Sequence, residues 1–126
     1  FMALDAKTGR LRFNFDAKAY IFSSAAIAGD MAYVGSHNGK LYAIDAKAGT
    51  LRWTFQTEAS RLDRLKILNP DGSLNQDAFT PIFGDFQDMY LDLYRFTSVG
   101  AIVSSPVVDH GLLYVASMDG NLYALN

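Results

Sequence analysis

The chain repeats itself, and this restricts its possible folds more than any other feature. Residues 40–57, KLYAIDAKAGTLRWTFQT, lie over the opening FMALDAKTGRLRFNF. Ala3, Asp5, Ala6, Lys7, Gly9, Leu11, Arg12 and Phe15 match Ala43, Asp45, Ala46, Lys47, Gly49, Leu51, Arg52 and Phe55, an offset of 40 residues (45 − 5). A second match runs further: Ser23, Ser24, Tyr33, Val34, Ser36, Gly39, Leu41, Tyr42 and Ala43 recur at Ser104, Ser105, Tyr114, Val115, Ser117, Gly120, Leu122, Tyr123 and Ala124. That offset is 81 residues (104 − 23), close to two periods. A unit of about 40 residues carrying several short strands marks a propeller blade or a similar array, in which each unit buries its faces only against its neighbours.

Within the complete unit, residues 23–28, 31–36, 40–45 and 51–57 are short runs rich in Ile, Val, Tyr, Phe and Trp, separated by Gly29-Asp30, Asn38-Gly39 and Lys47-Ala48-Gly49. Each reads as a strand bounded by a turn. Asn38-Gly39 and its counterpart Asp119-Gly120 suit tight hairpins, since both positions tolerate positive φ. Leu41 and Ala43 alternate with Tyr42 and Ile44, so both faces of this strand are apolar, as expected of a sheet held between two others. Asp45 is placed to accept backbone N–H groups in its turn, Gly49 supplies positive φ, and Trp53 offers a broad surface to the adjacent blade. The first copy has Asp5, Gly9 and Phe13 at these places, a smaller ring standing for the tryptophan. Tyr33, Tyr42, Trp53 and their counterparts, Tyr114 and Tyr123 among them, are expected to be largely buried between blades.

Half of the 126 residues are hydrophobic and the net charge is −2, from 11 basic and 13 acidic groups, the composition of an ordinary globular chain. No basic excess is available to neutralise phosphates, which argues against a nucleic-acid partner. The longest uncharged runs, 19–29 and 96–108, fall short of the roughly 20 apolar residues that span a bilayer. Without cysteine the chain has neither disulfides nor thiolate metal sites. It opens on Phe1 and shows no signal peptide.

Ser23-Ser24, Tyr33-Val34-Gly35-Ser36, Asn38-Gly39, Leu41-Tyr42-Ala43-Ile44-Asp45, Ala48-Gly49 and Trp53 together resemble the PQQ-like repeat, the β-propeller unit of quinoprotein alcohol dehydrogenases and of a lipoprotein scaffold in outer-membrane protein assembly. Ser104-Ser105-Pro106, Tyr114-Val115-Ala116-Ser117, Asp119-Gly120 and Leu122-Tyr123-Ala124-Leu125 give the motif again. The resemblance covers residues 1–57 and 102–126. It implies an all-β fold of antiparallel four-stranded blades: a half blade at 1–20, a complete blade at 21–57, an insertion at 58–100 and a partial blade at 101–126. Closed propellers take four to eight blades, so the expectation is an incomplete propeller, completed by further blades of a parent or by self-association of its open edges. For a parent, the resemblance implies a periplasmic or extracellular location and room for pyrroloquinoline quinone and calcium. No cofactor or metal site is evident in this chain.

Residues 58–100 lack every landmark of the repeat. Ser60 and Asp63 resemble a capping pair, with Leu62, Leu65 and Ile67 or Leu68 in a short helix that ends at the Asn69-Pro70-Asp71-Gly72 turn. Phe86, Met89, Tyr90, Leu93 and Tyr94 recur at helical spacing, with Asp85, Asp88 and Asp92 as the solvated face. The stripe of Phe86, Met89, Tyr90 and Leu93 is expected to pack on the propeller rim. It is also the chain's candidate interaction surface if that packing fails. Asn69 to Ser73 reads as a turn, since its glycine is misplaced for a calcium loop. His37 abuts the Asn38-Gly39 turn and His110 sits beside Gly111, so both read as exposed loop residues. No catalytic residues are evident.

Three functions follow. The chain is read as a non-catalytic propeller scaffold that binds a protein or other ligand. The alternatives are a fragment of a quinone- and calcium-dependent dehydrogenase, and a sensor or adaptor region of a larger protein.

Overall fold

The structure is a computed structural model and describes residues 1–78 and 86–126, with the side chains at 86–89 and 92 left aside. Among the described residues nine strands form three antiparallel sheets: β1 (Met2–Leu4) with β2 (Leu11–Asn14); β3 (Ala26–Ala28), β4 (Met31–Gly35), β5 (Lys40–Asp45) and β6 (Leu51–Gln56) in that order; and β7 (Val107–Asp109), β8 (Leu112–Ala116) and β9 (Leu122–Leu125). Between the second and third sheets come helix α1 (Glu58–Leu62), a single 3₁₀ turn (Gln76–Ala78) and helix α2 (Phe86–Ser98). The fold is a partial propeller of antiparallel blades with a helical insertion.

The strand pairings repeat the sequence offsets. Ala26, Ile27 and Ala28 pair with Tyr33, Ala32 and Met31, and Val107, Val108 and Asp109 pair with Tyr114, Leu113 and Leu112. Ala32 to Gly35 face Ile44 to Leu41 as Leu113 to Ala116 face Leu125 to Leu122, the same register 81 residues on (113 − 32). At the offset of 40, Ala3 faces Phe13 as Ala43 faces Trp53, and both ladders break one residue later, where Arg12 and Arg52 bulge out.

The first strand of each blade is shorter than its apolar run because a serine hydroxyl takes over from the ladder. Ser23 Oγ accepts from the Gly35 N–H at 2.9 Å and donates to the Gly35 carbonyl at 3.0 Å. Ser104 Oγ does the same with Ala116, at 3.0 and 2.7 Å. The two blades meet through these segments, the Ser24 N–H donating to Ser105 Oγ at 3.1 Å.

The hairpin turns differ in one respect from expectation. Gly39 and Gly120 have positive φ, while Asn38 and Asp119 do not. The loops are three residues long, closed by Ser36 N–H to Lys40 O and Ser117 N–H to Asn121 O, and only the glycine occupies the left-handed region. In the aspartate turns, Asp45 Oδ1 accepts from the N–H groups of Lys47 and Ala48 at 2.9 and 2.8 Å, and Asp5 Oδ1 from those of Lys7 and Thr8 at 3.1 and 2.8 Å. The Asp45 carboxyl is thereby lowered to about 2, first by the Ala48 N–H, then by the Arg52 guanidinium and the Lys47 N–H.

Each face of the central sheet carries its own core. Val34, Tyr42 and Ile44 pack with Ala17 against Phe1, Phe13, Phe15 and Ile21, next to the first sheet. Leu41 packs with Leu113 and Val115 from the third and with Ile102 from the segment leading into it. At the closest approach, a Cβ on Gly35 would lie 2.3 Å from Ile102 Cγ2 and 3.0 Å from its carbonyl oxygen. The equivalent position in the third sheet is Ala116, which is exposed and needs no such clearance.

Trp53 departs from expectation. Tyr42 is only 6% exposed, but Trp53 is 40% exposed and touches Tyr33 of its own sheet, ring centroids 5.9 Å apart. The first sheet shows what is missing. There Phe13 lies against Gly49 of the next blade, so closely that a Cβ at Gly49 would fall 2.4 Å from the ring. The third sheet has three strands among the described residues, and no aspartate-glycine turn stands opposite Trp53.

Two outcomes follow from this packing. Gly35→Ala should destabilise the fold by about 1–3 kcal/mol through overpacking, whereas Ala116→Gly should cost no more than about 1 kcal/mol; urea unfolding of both variants measures the difference. Since its folded pKa is depressed, Asp45 contributes stability above pH ~4 that is lost as pH falls toward ~2. A carbon-13 titration of its carboxyl should show a midpoint near 2 that rises in Arg52→Ala.

Candidate functional site

The insertion is built onto the blades from its first residue. Thr57, buried at the end of β6, caps α1: its Oγ1 accepts from the Ser60 N–H at 3.2 Å, and its own N–H donates to Gly39 O. The cap is therefore Thr57, not Ser60, whose hydroxyl is engaged instead with the Asn38 carbonyl at 2.6 Å. Asp63 ends the helix in a left-handed conformation, and its carboxylate receives the N–H groups of Ile67 and Leu68 at 2.8 and 3.1 Å. The helix thus stops at Leu62, short of the Leu65 to Leu68 continuation the sequence suggested.

Asn69 to Ser73 form the expected turn, closed by a Leu68–Leu74 bridge, with Asp71 Oδ1 accepting from the Ser73 N–H and hydroxyl at 3.0 and 2.7 Å. Among the described residues no three His, Cys, Asp or Glu side chains gather as a metal site would require. Ile67 and Leu74 join Val99 and Ala101 in a third core, with Phe96, Ala19 and Met118 against it. Residues 99–102 then thread between two blade turns: Ile102 N–H donates to Ser36 O, Met118 N–H to Ala101 O and Ser117 Oγ to Gly100 O.

The hairpin tip of the central blade joins these parts. Asn38 is fully buried, and its Nδ2 lies 3.0 Å from Ala17 O, 2.9 Å from Tyr42 Oη and 2.9 Å from Gly72 O, so its two hydrogens serve three acceptors. Tyr42 Oη donates onward to Ala17 O at 2.8 Å. At the equivalent place Tyr123 Oη donates to Asp119 Oδ2 at 2.7 Å and accepts from the Glu58 N–H at 3.3 Å. Burial, opposed by the Asn38 hydrogen bond, raises the Tyr42 pKa. Burial works against ionisation of Asp119, but the hydrogen bonds from Tyr123, Asn121 and Ser117 outweigh it and its pKa is lowered. Sequence reasoning read Asn38 as a turn residue only. Its signal was the asymmetry between Asn38 and Asp119 in otherwise matching hairpins.

The two histidines part company. His110 is exposed as expected, in positive φ, with Nδ1 2.8 Å from Asp109 Oδ1. His37 is not an exposed loop residue: it is buried beneath Phe22 and Phe96. The insertion covers it, and a blade read alone gives no sign of that cover.

The expected packing of the α2 stripe is also corrected. Tyr90 is 67% and Leu93 53% exposed, and Leu91 and Tyr94 are exposed beside them. Phe86 and Met89 lie where side chains are left aside, as do Asp88 and Asp92, and Asp85 lies outside the described residues. Among the described side chains of α2, Phe96 near its C-terminal end joins the third core, with Val99 just after the helix. Between α1, α2 and the β8–β9 turn runs a groove of about 560 Å³, with Leu62, Leu65, Tyr94 and Met118 on its walls and Glu58, Arg64 and Asp119 at its margin. The exposed helix face and this groove are the chain's candidate interaction surface.

Stacked antiparallel sheets with serine-closed first strands and aspartate-glycine turns define a PQQ-like β-propeller. The chain belongs to the family described as outer membrane protein assembly factor BamB, whose model matches residues 1–78. A curated relative, the outer membrane protein assembly factor BamB of Burkholderia pseudomallei (strain K96243), is 33% identical over 108 residues, covering 83% of this chain and 27% of its own length. The chain thus spans about a quarter of that relative. The crystal structure of BamB from Moraxella catarrhalis aligns with a TM-score of 0.47 and 20% sequence identity, over 98% of this chain and 42% of that one.

Removing the Tyr42 hydroxyl takes one of two donors from the Ala17 carbonyl and one of three acceptors from the Asn38 amide, leaving both still partnered. Tyr42→Phe should cost about 0.5–1.5 kcal/mol, as read by denaturant unfolding.

Proposed function

We propose that this chain is part of a non-catalytic propeller scaffold that docks a protein partner through its insertion. The observation that carries this reading is the outer face of α2, where Tyr90, Leu91, Leu93 and Tyr94 stand exposed beside a groove walled by Leu62 and Leu65. A contiguous apolar surface with a charged margin is the usual anatomy of a protein-binding patch. Aromatic and leucine side chains held on a helix supply contact area at low entropic cost. Kinship with an outer membrane protein assembly factor supports a partner within the machinery that assembles outer-membrane proteins, and a periplasmic location. The scaffold reading assigns no cofactor to this chain.

A photo-reactive amino acid placed at Tyr94 should form an adduct with a component of that machinery in cells that carry it, and one placed at Lys7 should not. Leu93→Asp should abolish the adduct while leaving the unfolding midpoint nearly unchanged, since the side chain is exposed. Absence of a Tyr94-dependent adduct would overturn the reading. So would alcohol-dependent dye reduction by the whole protein after reconstitution with pyrroloquinoline quinone and calcium.

A further inference from the structure

His37 occupies the first position of the β4–β5 loop, and its side chain is closed in by groups distant in sequence. The residue is 5% exposed, and among the described residues neither Nδ1 nor Nε2 has a hydrogen-bond partner. Phe22 approaches its ring at 4.5 Å and 75°, Tyr20 at 6.2 Å and 82°, both from the segment that joins the first blade to the second. Phe96 of α2 closes the other side at 4.8 Å and 58°. The backbone N–H of His37 is satisfied by the Tyr20 carbonyl at 2.9 Å, so the loop is fixed while the ring nitrogens are not. Buried polar atoms ordinarily find partners, and one side chain with two orphaned atoms calls for a physical account.

Neutral imidazole can serve as an aromatic wedge between Phe22 and Phe96, at the cost of two unmade hydrogen bonds. Imidazolium cannot do so cheaply, because an unpaired charge in an apolar cage loses its hydration without a counter-ion. We propose that His37 is a pH-sensitive latch on the insertion: neutral, it holds the C-terminal end of α2 against the central blade, and on protonation it releases that end.

Among the described side chains, no ionisable group on the surrounding elements is hydrogen-bonded to the ring and placed to offset the charge. On the joining segment are Tyr20 and Lys18, the latter ion-paired with Asp16 at 2.9 Å. On α2 is Arg95, beside Phe96; the side chain of Asp92, one turn before it, lies outside those described. Lys66, Asp71 and Asp77 lie on the insertion between the helices, Asp71 being engaged with Ser73. None of these groups is hydrogen-bonded to either ring nitrogen. Burial accordingly pushes the His37 pKa below its ordinary 6.5. With the closed-state pKa depressed, the open state binds the extra proton, so closure is favoured above pH ~6.5 and weakens as pH falls below it. The carboxylates whose pKa values are lowered titrate below this window.

Amide hydrogen exchange across residues 90–102 of the intact protein, corrected for intrinsic rates, tests the latch at pH 7.5 and 5.5. For an open-state pKa near ~6.5, the opening constant should rise about tenfold between these two values. His37→Phe should keep the wedge and remove the pH dependence. Phe96→Ala should leave the segment weakly protected at both pH values and bring the His37 titration, followed by nitrogen-15 shifts, toward 6.5. Equal protection of the wild-type segment at both pH values would overturn the proposal, as would a pH dependence that persists in His37→Phe. If His37→Phe does not fold, the wild-type titration decides: a His37 midpoint at or above 6.5 with α2 still protected rules the latch out.

Discussion

Strand β5 has no outside. Leu41, Tyr42, Ala43 and Ile44 are all buried, alternate residues facing opposite neighbours, so the central sheet requires apolar cover on both sides at once. Each fully buried Leu or Ile there is worth about 1.5–3 kcal/mol relative to exposure, and that stabilisation exists only while the flanking sheets are in place. The first and third sheets supply that cover, and each is in turn covered by β5. Gly35 sets how closely the third sheet can come, because the Ile102 side chain occupies the space a Cβ would take. Stability is thus a property of the stack rather than of any blade within it.

The insertion is tied to that stack by polar groups more than by area. Asn38 at the hairpin tip reaches the exit of the first blade through Ala17 O, its own strand through Tyr42 and the insertion through Gly72 O. Ser60 binds the Asn38 carbonyl, and Thr57 caps α1 while its hydroxyl also reaches the carbonyls of Val99 and Gly100. Such a network is stabilising only when every member is satisfied, which fixes the position of α1 and of the segment after α2. Farther along α2, the outward residues have no such ties and remain in solvent.

What the sequence disclosed and what it withheld divide along a physical line. Repeated residues whose partners lie in the same unit were legible: the Asp5 and Asp45 carboxylates bond to groups within seven residues, and the strand registers follow the offsets of 40 and 81. Residues whose environment is set by another unit were not. Trp53 looks like its counterpart Phe13, yet Phe13 lies against Gly49 of the next blade while, among the described residues, Trp53 meets Tyr33 of its own sheet. His37 looks like a loop residue until Phe96 arrives from 59 positions away (96 − 37). On α2 the helical period was correct, but Tyr90 and Leu93 of the expected inward stripe stand in solvent, while Phe96, outside that stripe, joins the core. Thr57 escaped notice as a cap because it closes a β-strand and opens a helix in the same residue.

The exchange of Asn38 for Asp119 between otherwise matching hairpins bears on how near-identical units avoid being confused during folding. The amide at position 38 presents hydrogens to carbonyl oxygens, whereas the carboxylate at 119 must be given hydrogens by Tyr123 and the Asn121 N–H. An aspartate placed where Asn38 sits would set a negative charge against Ala17 O and Gly72 O and would have no hydrogen to give the Gly72 carbonyl, whatever the Tyr42 hydroxyl and the Lys40 N–H supplied to it. Repeat proteins are prone to misassembly in which one unit docks in the place of another. A single atom type at the loop tip therefore acts as an address, making each blade a poor substitute for its twin at a site the apolar faces alone would not distinguish.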